Sequence, residues 1–145
     1  MSGEPGHDLH SGDGRLARWA ARYARLALGA AFLSGIASRF GLWGANVGYG
    51  DFDNFVRYTA EVNAFMPLAT IPFLAWAATI AELVLGVALV LGLAPRATAL
   101  GSALLLALFG TAMAISQGIK SPLDYSVFSA SAGALLLALQ PVSEK

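Results

Sequence analysis

The chemistry in this sequence starts from Glu82. It is the one formal charge in a 23-residue apolar run, 71–93. A helix rises about 1.5 Å per residue, so such a run crosses a hydrocarbon layer of roughly 30 Å. A carboxylate at its middle costs about 3 kcal/mol or more unless it is neutral, paired or facing water. Ala78 and Gly86 stand at i−4 and i+4. Small residues mark helix–helix contact, so Glu82 is expected to point into a bundle. Counting depth along the helices selects Arg25 as its partner. Arg25 is seven residues in from Arg18, about 10 Å, and Glu82 is eleven from Leu93, about 16 Å from the same face. An arginine side chain covers the remaining gap of about 6 Å. Two readings of an Arg25–Glu82 pair stay open. One is a pair beside a ligand pocket or proton path. The other is a structural buried pair that fixes helix register, or a neutral glutamic acid bonded to backbone. Arg39, at the outer end of the preceding apolar run, is placed to meet Asp51, Asp53, an anionic ligand or lipid phosphate. With Trp76, the residues Arg25, Arg39 and Glu82 form the candidate ligand-binding set. No catalytic residue is assigned.

Composition narrows the class. Hydrophobic residues make up 57% of the 145-residue chain and charged ones 12%, with net charge zero. A soluble domain is about a quarter charged. With a mean hydropathy of +0.63, the chain belongs with membrane proteins, and nothing points to nucleic acid. There is no cysteine, and both histidines, His7 and His10, precede the first apolar run. Thiolate chemistry, iron–sulfur ligation, a cysteine-type metal site and bis-histidine haem within the apolar runs are therefore excluded.

The elements that must position these residues follow in order. Residues 1–14 are rich in Gly, Ser, Asp and His, and are expected to be a disordered tail. Arg15, Arg18, Arg22 and Arg25 follow a 3-4-3 spacing that lines one helical face, with Trp19 and Tyr23 among them, as in an interfacial anchor. The first span lies within 15–40. The loop after it contains 51–66, where Phe52, Phe55, Val56, Thr59, Val62, Phe65 and Met66 recur at helical spacing. That segment is too polar to span and is expected to lie in the headgroup plane. The second span is 71–93, and 94–96 is a tight turn. The third span is 97–116, and the fourth 123–139, with Ser121 as N-cap and Pro122 at the first position. The expected fold is all-α: a four-helix transmembrane bundle with an amphipathic interfacial helix between spans one and two. Four spans put both termini on one side. That side carries Arg15, Arg18, Arg22, Arg25, Arg96 and Lys145, against Arg39, Arg57 and Lys120 on the other. The asymmetry predicts a cell (inner or plasma) membrane protein with both termini cytoplasmic.

Four stretches together resemble one family: RLALGAAFLSGIASRFG at 25–41, FMPLATIP at 65–72, AELVLGVALVLGLAPRATAL at 81–100 and GIKSPLDYS at 118–126. They are similar to the DoxX family, small four-span membrane proteins related to the DoxD subunit of archaeal thiosulfate:quinone oxidoreductase. The resemblance covers roughly 15–140 and rests on Arg25, Arg39, the Glu82–Gly86 core and the Gly92–Arg96 turn. Arg39 stands where a lysine is commoner. The domain is expected at 15–141, followed by a tail, 142–145. The resemblance implies a membrane subunit of a quinone-linked redox system. Its expected cofactor is a quinone, with no haem, iron–sulfur cluster or metal. Its expected partners are the lipid bilayer and a redox protein or a second copy of the chain. The alternatives are a non-catalytic scaffold anchoring a partner protein, or a carrier of protons or small molecules.

Overall fold

The computed structural model describes residues 7–141. Among these the chain is entirely helical: α1 (His7–Arg39), α2 (Phe52–Val62), α3 (Ile71–Leu91), α4 (Pro95–Gln117), α5 (Lys120–Asp124) and α6 (Val127–Ala138), with a 3₁₀ turn at Leu68–Thr70 before α3. The four longest helices, α1, α3, α4 and α6, run up-down-up-down. Each packs against two neighbours, α1 on α3 and α6, and α4 on α3 and α6.

Small residues set the spacing of the helices. On α1, a Cβ added at Gly29 would lie 2.8 Å from Val90 Cγ2 and 3.0 Å from the Gly86 carbonyl oxygen. A Cβ at Gly86 would lie 3.1 Å from Phe32 Cβ. Backbones this close gain dispersion contacts that a larger residue would prevent. On the other side, the Phe128 ring of α6 fills the notch at Gly110, and Ser131 Oγ donates to the Ala103 carbonyl at 2.7 Å.

The apolar spans at 71–93 and 97–116 correspond to α3 and α4. Gly92, at φ 72°, closes α3 in the left-handed conformation that glycine adopts at low cost, and Pro95 opens α4 where its missing N–H is not needed. The segment 51–66 forms α2, with Asp51 as N-cap accepting from the Asn54 amide at 2.7 Å. Its apolar face packs on the bundle: Phe55, Thr59 and Val62 are buried, and the helix lies against α3 and α4.

Two expectations are corrected. The helix that was to begin at Arg15 begins at His7, so the part of the 1–14 tail within the described residues, 7–14, is helical. Extending an existing helix needs no new nucleus, and two glycines do not stop it. Residues 1–6 and 142–145 lie outside the described residues. The fourth span is not one helix across 123–139. Ser121 Oγ is bonded to Gln117 Oε1 at 2.8 Å instead of capping a helix, and Ile119 is the N-cap of the five-residue α5. Ser126 then turns left-handed at φ 56° and separates α5 from α6.

Two helices are long and apolar enough to cross a membrane, Leu68–Leu91 and Pro95–Gln117. Their outward faces are uncovered: Phe73 is 73% exposed and Ile115 64%, with Ile80, Val84, Leu104 and Leu108 beside them. Soluble monomers rarely expose contiguous apolar surface on this scale, and a bilayer supplies the missing solvent.

The close contact between α1 and α3 carries an expected outcome. Gly29→Leu overpacks a site with backbone within 3.0 Å and should lower stability by about 1–3 kcal/mol in thermal unfolding in detergent. Gly133→Ala is the control. An added Cβ there meets nothing within 4 Å, so stability should hold or rise. Equal losses in the two variants would show that the α1–α3 contact does not set the packing.

Candidate functional site

The site is built at the end of α1. Gly29 against Gly86 fixes the register of the antiparallel α1–α3 pair, and ten residues further along α1 this brings Arg39 beside Thr79 and Glu82. Arg39 is 4% exposed and Glu82 5%. Arg39 Nη2 donates to Glu82 Oε2 at 2.6 Å, and Nη1 donates to Thr79 Oγ1 at 3.0 Å. The Thr79 hydroxyl itself donates to the Ala75 carbonyl, one turn back. The guanidinium carbon lies 3.8 Å from the centre of the Phe55 ring, which α2 brings over it. An arginine face against an aromatic ring in a desolvated setting adds to the ion pair. Arg39 Nε is buried and has no protein partner.

The loop before α2 completes the wall. The Tyr49 amide donates to Ser38 Oγ at 2.9 Å, and Asn54 Nδ2 donates to the Tyr49 carbonyl at 2.8 Å. Gly48 makes the approach to α1 possible. Its φ is 65°, and a Cβ there would lie 2.1 Å from Ser38 Oγ. The Tyr49 ring packs edge-on to Phe55 at 5.0 Å between centroids and lies 5.4 Å from Tyr58. Burial, and after it the neighbouring Tyr58, push the Tyr49 phenol up to about 12, against the smaller pull of Arg39. Burial likewise raises Tyr58, followed by Tyr125 and Glu61. Tyr49 is therefore a neutral hydrogen-bond donor at physiological pH.

These groups border a cavity of about 490 Å³ between α2, α3 and α4, whose walls include Arg39, Tyr49, Tyr58, Asn63, Glu82 and Met113. The remainder of the lining is mostly Leu, Ala and Phe109. An apolar chamber with a few convergent polar groups is the ordinary build of a small-molecule site.

The expected pair is corrected. Glu82 is bonded to Arg39, and Arg25 lies at the far end of α3. A Cβ on Gly92 would be 2.7 Å from Arg25 Nη1. From Glu82 to Gly92 is ten residues, about 15 Å along the helix. Counting depth from the ends of apolar runs assumes that those ends lie level. The glycine contact sets a different stagger. Arg39 does not meet Asp51, which caps α2, and Trp76 does not line the cavity. Trp76 is half-exposed and packs at a tilt against Phe52, 4.4 Å between centroids, with Phe40 at 6.4 Å. Of the candidate set, the structure brings together Arg39 and Glu82 and leaves Arg25 and Trp76 outside. Sequence reasoning missed Tyr49, Tyr58 and Asn63 as wall residues and Thr79 as the second partner of Arg39. Thr79 was within reach, since it lies three residues before Glu82 and so on the same helical face.

The family model DoxX matches residues 20–116. Arg39, the loop, α2 and Glu82 all lie in that span, and α5 and α6 lie beyond it. Neither a curated protein nor a solved structure matches the chain.

Removing either partner of the buried pair should cost about 3–5 kcal/mol. Arg39→Ala and Glu82→Ala are each expected to destabilise the protein, and the double variant to lose less than their sum. Arg25→Ala should combine additively with Glu82→Ala. Coupling of Glu82 to Arg25 and not to Arg39 would contradict the geometry. A second outcome concerns Tyr49. Its folded value lies above the ordinary tyrosine value of 10.0, so its contribution is complete below pH 10 and is lost as pH rises towards about 12. An alkaline spectrophotometric titration should show a late-ionising phenol that Tyr49→Phe removes.

Proposed function

The chain belongs to the DoxX family, and on that premise we propose that it is a four-span membrane protein whose cavity takes a quinone headgroup for a redox system in the same membrane. The observation that carries this reading is the buried Arg39 guanidinium in the cavity wall, with an Nε donor lacking a protein partner. A quinone offers carbonyl oxygens that accept such bonds, and its ring and tail suit the apolar remainder of the wall. A bound quinone would supply the two-electron carrier chemistry. The chain's residues hold and orient it. Glu82 fixes one guanidinium nitrogen at 2.6 Å and Thr79 the other at 3.0 Å, so Arg39 is aimed before a ligand arrives. Tyr49 Oη keeps its proton at neutral pH, so it is free to donate to a quinone oxygen. Phe55 and the rest of α2 shield the pair from water. Electrons then come from a partner or a bound cofactor, because the chain has no cysteine and no histidine in its apolar runs.

Topology belongs to the same proposal. With α1 and α6 as outer spans, both termini lie on the cytoplasmic side of the cell membrane, where the basic residues concentrate. α2 then lies over the outer end of the bundle. A scaffold or a carrier would have less use for a polar wall built around one aimed guanidinium.

The test is a titration of a short-chain ubiquinone analogue into protein in mild detergent, with mass spectrometry of copurified quinones. Saturable binding is expected, weakened about tenfold or more in Arg39→Lys, which keeps the charge but loses the planar fork. No saturable binding and no copurified quinone would sink the reading.

A further inference from the structure

The opposite end of the bundle holds a second cavity, of about 530 Å³, between the first half of α1, the α3–α4 turn and the end of α6. Arg18, Arg22, Arg25 and Arg96 line it, and among the described lining residues none carries a carboxylate. We propose that this cavity is a binding site for a phosphate group.

Three observations converge on an anion. The 4-3 spacing of Arg18, Arg22 and Arg25 turns these three arginines of α1 to one side, and Arg96 in the first turn of α4 faces them across the cavity. Four like charges around one space repel unless a counter-charge fills it. Arg25 Nε is buried and has no partner. The guanidinium is seated against Gly92, where a Cβ would lie 2.7 Å from Nη1. The helix-end carbonyls of Ala88 and Leu89 accept from the Gly92 and Leu93 amides. Finally, Ala94, the N-cap of α4, offers no side-chain cap, so the positive end of a 23-residue helix adds to the arginines. Phosphate fits this set better than a single carboxylate does, because its several oxygens accept paired bonds from more than one guanidinium.

Two sources share that chemistry: the headgroup of an anionic phospholipid, and a soluble phosphate. Basic pockets between helices at a membrane face hold lipid headgroups in this way. Trp19 and Tyr23, exposed on the same stretch of α1, have the character of an interfacial belt.

The experiment uses the full chain in two arms. In one, nanodiscs of phosphatidylcholine are compared with nanodiscs containing phosphatidylglycerol, by native mass spectrometry of retained lipid and by thermal unfolding. In the other, inorganic phosphate is added in detergent against chloride at matched ionic strength. Each arm is repeated with the Arg22→Gln/Arg96→Gln double variant, whose positions are exposed, and with the matching Lys pair. Circular dichroism confirms that the variants are folded. We expect phosphatidylglycerol to be retained and stabilising, with binding weakened roughly 30-fold by the Gln pair and largely restored by the Lys pair. Stabilisation by inorganic phosphate as well, lost in the Gln pair, supports the site with a soluble source. A response in neither arm, or one that the Gln pair leaves unchanged, overturns the proposal.

Discussion

A carboxylate set at the middle of an apolar helix has to be neutralised, paired or wetted, and the rest of the structure follows from the pairing of Glu82 with Arg39. Arg39 comes from the end of an antiparallel neighbour and is held by Glu82 and Thr79 together. Buried pairs of this kind are poor sources of net stability, because desolvating two charges costs about as much as their attraction returns. Their strength is specificity. A one-turn slip of α1 against α3 would leave both charges stranded in apolar surroundings. The glycines at 29 and 86 and the pair at 39 and 82 therefore state the same register twice, once by shape and once by charge.

The two ends of the bundle use arginine differently. At one end a single arginine is buried, paired and stacked beneath Phe55. At the other, four arginines share a cavity with no described carboxylate in its wall. The contrast follows from the supply of partners. α3 has one acid, and the register gives it to Arg39. Arg25, with its guanidinium beside Gly92, is left to an anion from outside the described chain.

Much of the fold was legible in the sequence, and for identifiable reasons. The apolar runs gave α3 and α4 because length and hydropathy are local quantities. The spacing from Phe52 to Met66 gave α2 because helical period is also local. That Glu82 would turn inward followed from Ala78 and Gly86. The identity of its partner did not follow, since the stagger between two helices is set by which small residues meet, and depth counted along each helix alone is blind to that. The break at Ser126 was hidden for a similar reason. Ser121 and Pro122 have the pattern of a helix start, and only the contact with Gln117 shows the hydroxyl committed elsewhere. The wall residues Tyr49 and Tyr58 come from a loop and a helix flank that fold over the site, and no spacing rule links them to position 82.

The left-handed turn at Ser126 also makes the bundle lopsided. α6 has 12 residues and rises about 18 Å, while α3 and α4, with 21 and 23, rise about 32 and 35 Å. Set in a bilayer, one flank of the protein matches the hydrocarbon thickness and the other falls short of it. Hydrophobic mismatch costs a fraction of a kcal/mol per ångström, relieved by tilting the bundle or thinning the membrane beside α6. Were α6 to cross the same layer as α3 and α4, lipid beside it would carry the strain, and a second protein covering this flank would relieve it.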